Sequence, residues 1–448
     1  MKVMVVGGGG REHALAWSAL RSPRVGAVIM APGNAGTAAL GTNVAIDPLD
    51  LPALAAAAVR HDVDLAIVGP DDPLAAGAVD ALTAAGMRAF GPTRAAAQIE
   101  ASKAWSKEFM RRHNIPTAPF EVFDAPGPAH RFVDARPWDG QMVVKADGLA
   151  RGKGVVVCDT PDDAHRAVAA MMEEAVFGAA GRRVVIEQRL QGPEASVFAL
   201  CDGQTAVAMG AARDHKRIAE GDRGPNTGGM GAYSPTRLVP PAVLEEVMAR
   251  AIRPALAGMA AEGRPFTGFL FAGLLLTADG LSVLEFNARF GDPEAQAILP
   301  LLETDLIELV ELAIDGRLAG VVSRWRAGAA CAVCLAAAGY PGPVHDGARI
   351  TGLDAIGPDA LVFHSGTVRR DEAIVTQGGR ILTVVGLGSD LSAARHAAYE
   401  NVGRIDFEGL QYRRDIGAGE AQEVGGAVVS RSPSLGSPTL AAGGGLKR

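Results

Sequence analysis

The 448-residue sequence has few cysteines, few aromatic residues and no long hydrophobic run. Its four cysteines are too few for a disulfide scaffold, which favours a reducing compartment such as the cytoplasm. Two of them, Cys331 and Cys334, form a lone CxxC in an apolar segment, where we expect buried core thiols. No apolar run reaches ~18 residues, and the apolar start of the chain is too short for a signal sequence. We therefore expect a cytoplasmic protein that does not span a membrane.

The sequence also lacks an excess of basic residues. Lys and Arg number 43 against 50 for Asp and Glu, which gives a formal net charge of −7. Such a charge provides no general attraction to nucleic acid, although local basic clusters can still hold phosphorylated small molecules. With 48% hydrophobic and 21% charged residues, the chain can bury ordinary globular cores. Its length suits about three domains.

The N-terminal part of the sequence alternates short apolar segments with Ala-rich helical ones. The expected elements are strand Val3–Val6, helix Glu12–Leu20, and strands Ala27–Met30, Leu65–Val68 and Arg88–Phe90. This alternation predicts a doubly wound parallel sheet, whose ligand lies beyond the carboxyl ends of the strands. The segments at those ends are Gly7–His13, Ala31–Asn34 and Gly69–Asp71.

From about Glu100 the pattern changes to a mixed α+β one. We expect a helix at Ser102–His113, strands at Met142–Lys145 and Val155–Cys158, and a long hairpin of Gly268–Thr277 and Leu281–Phe290. The predicted domains are residues 1–102, residues 103–326 with a lid subdomain at about 120–190, and a small β-rich domain at 327–418. Gly, Ser, Ala and Pro dominate residues 419–448, which predicts a disordered tail.

The glycine run Gly7–Gly10 precedes a helix and suits an anion, because free amides and the helix dipole point at it. A merely tight turn is the alternative. A nicotinamide-dependent oxidoreductase needs glycine or alanine where Glu12 stands, and an acid after the second strand, where the sequence has Ala31–Asn34. Both requirements fail, so we expect phosphate binding without a nicotinamide dinucleotide.

A second glycine-rich loop, Lys145–Gly154, lies between two predicted strands. It is not a Walker loop, because only three residues separate Gly148 from Gly152, and Gly154 stands where Ser or Thr is required. It is typical of a hairpin that folds over a triphosphate, with amides approaching the oxygens and Lys145 supplying charge. A flexible surface hairpin with solvated charges is the alternative.

The segment Glu285–Glu294 carries the sharpest pattern. On a strand, Glu285, Asn287 and Arg289 point to one face. Two oxygen ligands two residues apart suit Mg²⁺, whose other positions are filled by phosphate oxygens and water. The alternative is a polar, solvent-facing strand. The apolar partner strand Phe269–Leu276 favours a hairpin inside a domain, and therefore the metal site.

Together these motifs closely resemble the phosphoribosylamine–glycine ligases of purine biosynthesis, an ATP-grasp family also called glycinamide ribonucleotide synthetases. The resemblance runs from Met1 to about Gly417. Its segments are Gly9–Ala14, Ala31–Gly36, Asp147–Ala150, Gly152–Gly154, Asp214–Arg217, Gly224–Pro235 and Arg289–Glu294. The resemblance implies an N-terminal pre-ATP-grasp domain, a central ATP-grasp domain and a small C-terminal domain.

The resemblance also implies roles for individual residues. The ATP-binding residues would be Lys103, Lys145, Gly148, Gly152, Lys153, Gly154, Glu187, Leu190 and Glu194. Among them, Lys103 and Lys145 would lie near the phosphates. Glu187 and the residues just after it would lie near adenine, and Glu194 would lie near the ribose. The metal ion, Mg²⁺ or Mn²⁺, would bind to Glu285 and Asn287. The other substrates would contact Gly9, Gly10, Asn34, Asp71, Asp214, His215, Lys216 and Arg289. The catalytic residues would be Arg289, Asp214 and Lys145.

The implied reaction joins glycine to 5-phosphoribosylamine through glycyl phosphate, giving glycinamide ribonucleotide, ADP and phosphate. We expect a monomer that acts on small molecules, with no nucleic-acid or membrane partner. The sequence departs from the family's usual pattern at Asp71, Arg151, Gln188 and Arg213, where the family has Glu, a small residue, Glu and Gln. A sister ATP-grasp ligase with another substrate is the alternative function.

Overall fold

The computed structural model describes residues 1–135, 137–149 and 154–422, and it confirms the expected mixed α/β architecture. Its N-terminal part is a parallel sheet of five strands in the order β3-β2-β1-β4-β5. The elements are β1 Lys2–Gly7, α1 Gly10–Leu20, β2 Ala27–Pro32, β3 Thr42–Asn43, α2 Leu51–Arg60, β4 Leu65–Val68, α3 Asp71–Ala76, α4 Ala78–Ala84 and β5 Arg88–Phe90. The predicted doubly wound sheet is therefore confirmed.

Both faces of this sheet are buried, as a parallel sheet requires. Along β1, Val3 and Val5 pack into one hydrophobic core, while Met4 and Val6 pack into another. Successive strand residues point to opposite faces, so an uninterrupted apolar strand serves two cores at once. This is why the three inner strands β2, β1 and β4 are almost continuous apolar runs.

The region of the predicted lid is a second, antiparallel sheet of four strands in the order β6-β9-β7-β8. The elements from the linker to the end of this region are α5 Gln98–Ala101, α6 Lys103–Arg112, β6 Phe120–Phe123, α7 Pro126–Asp134, β7 Met142–Ala146, β8 Val155–Cys158, α8 Pro161–Val168 and β9 Val184–Gln188. The glycine-rich loop connects β7 to β8. Its residues Arg151, Gly152 and Lys153 lie outside the described part of the chain.

The largest sheet has eight strands in the order β16-β15-β10-β11-β14-β17-β21-β18. Its first elements are β10 Glu194–Asp202, β11 Ala206–Asp214, β12 Arg217–Ala219, β13 Arg223–Asn226, β14 Gly231–Ser234, α9 Pro241–Val247, α10 Arg253–Ala261, β15 Thr267–Thr277, β16 Gly280–Asn287, α11 Glu294–Ile298 and α12 Leu306–Ile314. The C-terminal elements are β17 Ala329–Ala336, β18 Ala360–His364, β19 Thr367–Arg370, β20 Ala373–Thr376, β21 Arg380–Gly388, α13 Leu391–Val402 and α14 Ala418–Gln422. Because β14 pairs with β17, the C-terminal region extends the central sheet.

The hairpin β15–β16 differs from its predicted form. Strand β16 ends at Asn287 and not at Phe290, because the backbone N–H of Ala288 donates to the carboxylate of Glu100 at 2.7 Å. Arg289 therefore lies beyond the strand. The prediction that Arg289 lies on the same strand as Asn287, and on the same face of it, is therefore wrong.

The C-terminal end also differs from the prediction. Helix α14 extends into the predicted tail, and Glu420 accepts hydrogen bonds from the hydroxyls of Tyr233 at 2.8 Å and Thr236 at 2.7 Å. The chain is thus ordered beyond the expected boundary at residue 419. Residues 423–448, the rest of the predicted tail, lie outside the described residues.

Two sequence expectations concern the whole chain. The four cysteines are buried free thiols, which confirms the core assignment of Cys331 and Cys334. Among the helices of the described residues, none combines the length and the apolar character that a membrane crossing needs.

Candidate active site

The end of β16 carries the two predicted metal ligands. Asn287 is buried, and Glu285 is half-buried. Burial raises the pKa of Glu285, but the cations around it lower that pKa by more, so the carboxylate stays ionised. These cations are Lys216, Lys103, Lys145 and Arg289. Within the described residues, no hydrogen bond or ion pair engages the Glu285 carboxylate.

The chemistry of this pair fits a hard divalent cation. Carboxylate and amide oxygens are preferred Mg²⁺ ligands, and a site with only two protein ligands leaves room for phosphate oxygens and water. The Nδ2 atom of Asn287 is buried and has no hydrogen-bond partner in the described chain. No group of three or more His, Cys, Asp or Glu side chains in the described ranges is arranged to hold a metal. A divalent cation at Glu285 and Asn287 would therefore need further ligands from a bound molecule or water, and the metal assignment stays a prediction.

Arg289 is held beside this pair by two acceptors. Its Nη2 lies 3.0 Å from Glu100 Oε1 and 3.1 Å from Asn287 Oδ1. Burial raises the pKa of Glu100 to about 7, against the opposing charge of Arg289. The Nε atom of Arg289 is buried without a hydrogen-bond partner among the described residues. An unpaired buried donor is a group that a bound anion would satisfy.

The predicted ATP residue Lys145 belongs to a buried ion-pair triad. Its Nζ lies 2.5 Å from Glu187 Oε1 and donates to the backbone oxygen of Leu284 at 3.3 Å. Lys107 Nζ lies 2.5 Å from the other oxygen of Glu187. Burial lowers the pKa of Lys107 to about 8, and the charge of Glu187 opposes this shift. Each carboxylate oxygen of Glu187 is thus ion-paired with a lysine, and its predicted contact with adenine stays a prediction.

The start of the glycine-rich lid loop is pinned to the N-terminus of α6. The carboxylate of Asp147 accepts hydrogen bonds from the Ser102 hydroxyl at 2.8 Å and the Ala104 N–H at 2.7 Å. Lys103 Nζ donates to the backbone oxygen of Gly148 at 3.2 Å. A side chain at Gly148 would overlap Ala180, since a Cβ there would lie 2.7 Å from the alanine Cβ. The loop therefore begins next to Lys103, and its predicted role in ATP binding stays a prediction.

The end of β11 brings Asp214, His215 and Lys216 to the same region. Lys216 Nζ lies 2.8 Å from Glu194 Oε2, so a predicted substrate residue and a predicted ribose contact form one ion pair. Burial raises the pKa of Asp214, and the charge of Lys216 opposes this shift. Burial and the nearby Asp214 raise the pKa of Glu294 to about 7. Two carboxylates that are close together and not both easily ionised suit the binding of a cation such as an ammonium group.

The side chain of Glu12 binds the backbone of the N-terminal glycine loop. The N–H of Gly9 donates to Glu12 Oε2 at 2.8 Å, and Arg11 Nε lies 2.5 Å from the other oxygen. Glu12 fills the space near Gly69, where a Cβ would lie 2.2 Å from its Oε1. The Glu12 side chain thus occupies the space between the ends of β1 and β4. The dinucleotide-binding pattern has glycine or alanine at this position, which would leave that space open.

Two other predicted substrate residues, Asn34 and Asp71, differ in their surroundings. The Asn34 amide donates to the backbone oxygens of Gly8 at 2.9 Å and His364 at 2.7 Å, and its Oδ1 accepts from the N–H groups of Gly36 and Thr37. All four of its side-chain hydrogen bonds are therefore made within the protein. Asp71 begins α3; burial opposes the rise in the pKa of Arg289, which the charge of Glu100 and, after it, that of Asp71 produce. Their roles in substrate binding, like those of Gly9 and Gly10, stay predictions.

A cleft with a volume of about 650 Å³ lies between the lid and the C-terminal region. Its walls are Val155–Val157 of edge strand β8, Arg217 and Asn226 of the β12–β13 hairpin, and the C-terminal residues Gly339 and Gly342. The lid, the segment after Asp214 and the C-terminal region therefore face one another across an open space.

The junction of the N- and C-terminal parts contains buried histidines. The N–H of His364 donates to His13 Nδ1 at 2.9 Å, and His364 Nδ1 lies 3.0 Å from the Thr367 hydroxyl. Burial, together with the charge of His364, lowers the pKa of His13 to about 3, and burial lowers the pKa of His364 to about 4. Both rings are therefore neutral in the folded protein at pH 7.

We expect these histidines to make the protein acid-labile. Their folded pKa values lie below the ordinary 6.5, so the unfolded chain binds more protons as the pH falls. The free energy of unfolding should thus decrease below about pH 6.5, by about 1.36 kcal/mol per pH unit for each histidine. Urea titrations from pH 7.5 to 5 should show a shallower decrease for His364→Asn. The control His396→Gln alters a surface ring and should keep the wild-type slope. Equal slopes in all three proteins would contradict the assignment.

Sequence reasoning missed several residues of the site. Glu100, Lys107, Tyr340 and Arg380 lie outside the motifs, and no short-range pattern marks them. Their partners are distant in sequence, since Glu100 binds the segment at Ala288 and Arg380 binds Asp292. Only the three-dimensional structure brings these side chains to the motif residues.

Known proteins identify the family. A model of the phosphoribosylglycinamide synthetase ATP-grasp (A) domain matches residues 101–295, and models of the N domain and the C domain of the same synthetase match residues 1–100 and 330–419. The chain belongs to the phosphoribosylglycinamide synthetase family. The three matches cover the parallel sheet, the region of the candidate site and the C-terminal extension of the central sheet.

Individual members of the synthetase family agree with this assignment. The phosphoribosylamine–glycine ligase of Ralstonia nicotianae is 50% identical over 418 residues, which cover 93% of this chain and 99% of that protein. The enzyme of the same name from Neisseria meningitidis serogroup A is 48% identical over 421 residues, with 93% and 98% covered. The crystal structure of the Thermotoga maritima phosphoribosylamine–glycine ligase is 33% identical, with a TM-score of 0.80, and covers 93% of this chain and 100% of that one.

Proposed function

We propose that the chain joins glycine to 5-phosphoribosylamine in purine biosynthesis, with ATP converted to ADP and phosphate. One observation carries the proposal: the charges of Lys216, Lys103 and Lys145 converge on the Glu285 carboxylate, which lies two residues before Asn287 on β16. A cluster of cations around an unpaired carboxylate is the arrangement that a metal–nucleotide complex requires. The names of the relatives agree with this activity.

ATP is proposed to lie between the lid sheet and the central sheet. Lys103 and Lys145 lie close to Glu285 and would contact the phosphates. The lid loop, from Gly148 to Gly154, would cover the phosphates with its backbone amides. Adenine would be recognised by the backbone from Glu187 to Leu190, since the carboxylate of Glu187 is engaged by two lysines. Glu194 would exchange its contact with Lys216 for the ribose hydroxyls.

Glu285 and Asn287 would hold Mg²⁺, with Mn²⁺ as a substitute of similar ligand preference. When bound, the ion neutralises phosphate charge and orients the γ-phosphate for transfer. The Glu285 side chain is ionised and unpaired among the described residues, so it is ready to bind a cation without losing a protein contact.

The first chemical step forms an acyl phosphate. A carboxylate oxygen of glycine attacks the γ-phosphorus, the bond to the β,γ-bridging oxygen breaks, and ADP leaves. No protein nucleophile takes part, so catalysis depends on positioning and charge neutralisation. Arg289 would pair with the glycine carboxylate through its fork of donors. Asp214, beside Glu294, would hold the glycine ammonium group.

The second step forms the amide bond. The amine of 5-phosphoribosylamine attacks the acyl carbon of glycyl phosphate, phosphate leaves, and the amine loses a proton. The ribose 5-phosphate group would bind at the N-terminal loop, near Gly9, Gly10 and Asn34, with Asp71 and His215 as further contacts. The lid would exclude water, which otherwise converts glycyl phosphate back to glycine and phosphate.

Product analysis tests this function. The protein is incubated with glycine, ATP, Mg²⁺ and phosphoribosylamine made in situ, and the expected products are glycinamide ribonucleotide and ADP in equal amounts. ADP release that does not depend on glycine would favour a sister ATP-grasp ligase with another substrate. The buried free thiols also support action in the reducing cytoplasm, and we propose a monomer there.

A further inference from the structure

Arg380 of the C-terminal region joins two loops that carry motif residues. It is the first residue of β21, which is paired on both sides by β17 and β18. Its Nη1 donates to the backbone oxygens of Gly228 at 2.7 Å and Asp292 at 2.9 Å. Its Nη2 lies 2.9 Å from Asp292 Oδ2. The planar guanidinium makes these contacts from two nitrogens held in one plane, a geometry that the single nitrogen of an ammonium group lacks.

A second C-terminal side chain completes the contact. The N–H of Gly228 donates to the hydroxyl of Tyr340 at 2.9 Å. Both polar atoms of the Gly228 backbone are thus held by the C-terminal region. We call Arg380 and Tyr340 the C-terminal clamp.

The two clamped loops support the proposed catalytic residues. In the first loop, the Thr227 hydroxyl donates to the backbone oxygen of Lys216 at 2.8 Å, and the Met230 N–H donates to the backbone oxygen of His215 at 2.8 Å. In the second loop, Asp292 follows Arg289 by three residues. The loops also touch each other, because a Cβ at Gly229 would lie 2.5 Å from Pro293 Cδ.

The second loop lies against the N-terminal glycine loop. Asp292 Oδ1 accepts from Gln296 Nε2 at 2.8 Å. A Cβ at Gly10 would lie 2.6 Å from Gln296 Nε2, and a Cβ at Gly9 would lie 3.5 Å from Asp292 Oδ2. The clamp therefore fixes the distance between the loop proposed to bind the amine substrate and the loop that follows Arg289.

We propose that Arg380 and Tyr340 are positioning residues for the amide-forming step, an inference that rests on the proposed function. They keep the loop that follows Arg289, where glycyl phosphate would form, in a fixed position relative to the N-terminal glycine loop, which would bind the amine. Lys103, Lys145 and Glu285, which act on ATP, make no hydrogen bond or ion pair to the clamp within the described residues. Loosening the clamp thus misaligns the amine and the acyl carbon more than it disturbs ATP.

The consequence is a loss of coupling. When the amine is misplaced, water attacks the acyl carbon of glycyl phosphate, the bond to the phosphate oxygen breaks, and glycine and phosphate are returned. ADP is then formed without glycinamide ribonucleotide. A 1 Å misplacement costs roughly 10²-fold in rate, so kcat/KM for the amine should fall by roughly 10- to 100-fold in Arg380→Gln.

The test measures the ratio of ADP to glycinamide ribonucleotide. We expect a ratio near one for the wild type and well above one for Arg380→Gln, with KM for ATP nearly unchanged. Arg380→Lys retains the charge opposite Asp292 and should restore part of the coupling. Tyr340→Phe removes one hydroxyl and should give the smallest defect. Arg404→Gln is the matched control, because that arginine bonds only within the C-terminal region, and it should stay coupled. A ratio near one in Arg380→Gln would overturn the proposal.

Hydrogen–deuterium exchange gives a second readout that needs no turnover. In Arg380→Gln and Tyr340→Phe, exchange should rise in residues 224–231 and 289–296 and stay at the wild-type level elsewhere. If both variants exchanged at the wild-type rate in these two segments, the proposed role of the C-terminal clamp would be contradicted. This holds even if the wild-type enzyme made no glycinamide ribonucleotide. A wild type that fails to make this product, with the expected exchange changes, would instead refute the proposed function alone.

Discussion

Glu285→Gln is expected to lower kcat by about 10²-fold or more at saturating ATP and Mg²⁺, equivalent to roughly 2.7 kcal/mol. The substitution keeps the size of the side chain and removes the charge that faces the nearby cations. A neutral amide binds a divalent ion less strongly than a carboxylate does, so the Mg²⁺ concentration required for half-maximal activity should also rise. Steady-state kinetics over a range of Mg²⁺ concentrations would measure both effects.

The control for this prediction lies on the same hairpin. Asp279 is exposed in the turn between β15 and β16, so Asp279→Asn removes an equal charge far from the cation cluster. This variant should keep wild-type kinetics and metal dependence. Near-normal turnover of Glu285→Gln, with unchanged metal dependence, would refute the assignment of the metal site.

Arg289→Lys is expected to raise the KM for glycine with a smaller change in the KM for ATP. The lysine keeps the positive charge but loses the planar fork that Glu100 and Asn287 orient. The loss of one charged hydrogen bond of about 1.5–3 kcal/mol corresponds to roughly 10- to 150-fold in KM. Initial rates at varied glycine concentration would measure this change.

The same kinetics separate two roles for Arg289. A lower kcat with an unchanged KM for glycine would assign it to transition-state stabilisation, and a higher KM would assign it to the glycine carboxylate. Arg250→Lys is the control, because Arg250 forms an exposed ion pair with Glu246 at 2.6 Å. If Arg289→Lys behaved like this control in both constants, Arg289 would have no part in the reaction.

The local elements of the fold were predictable from sequence because short-range patterns determine them. Strands Leu65–Val68 and Val155–Cys158 match their predicted bounds, since each is an apolar segment between polar or glycine residues. The end of β16 was not predictable. A hydrogen bond to Glu100, far away in the sequence, terminates it. The join between β14 and β17 was missed for the same reason, because strand pairing over about a hundred residues leaves no local signal.

In the candidate site, too, residues of local motifs were predictable from the sequence and long-range contacts were not. Glu285 and Asn287 were predicted as metal ligands from their spacing in a motif, and the charges of the predicted lysines act on Glu285 in the structure. The motif could not show that Glu187 is bound on both oxygens by Lys145 and Lys107. It also could not reveal Glu100 as the partner of Arg289, because a single acid before a helix resembles an ordinary solvated residue.

Oxygen transfer from glycine to phosphate tests the central claim most directly. Glycine labelled with ¹⁸O in both carboxylate oxygens is incubated with ATP, Mg²⁺, phosphoribosylamine and the wild-type enzyme. If the carboxylate attacks the γ-phosphorus and phosphate leaves the acyl carbon, one ¹⁸O atom appears in phosphate for each glycinamide ribonucleotide formed. Mass spectrometry of the phosphate would show this label. Phosphate that carries no ¹⁸O, formed together with the product, would contradict an acyl phosphate and the account built on it.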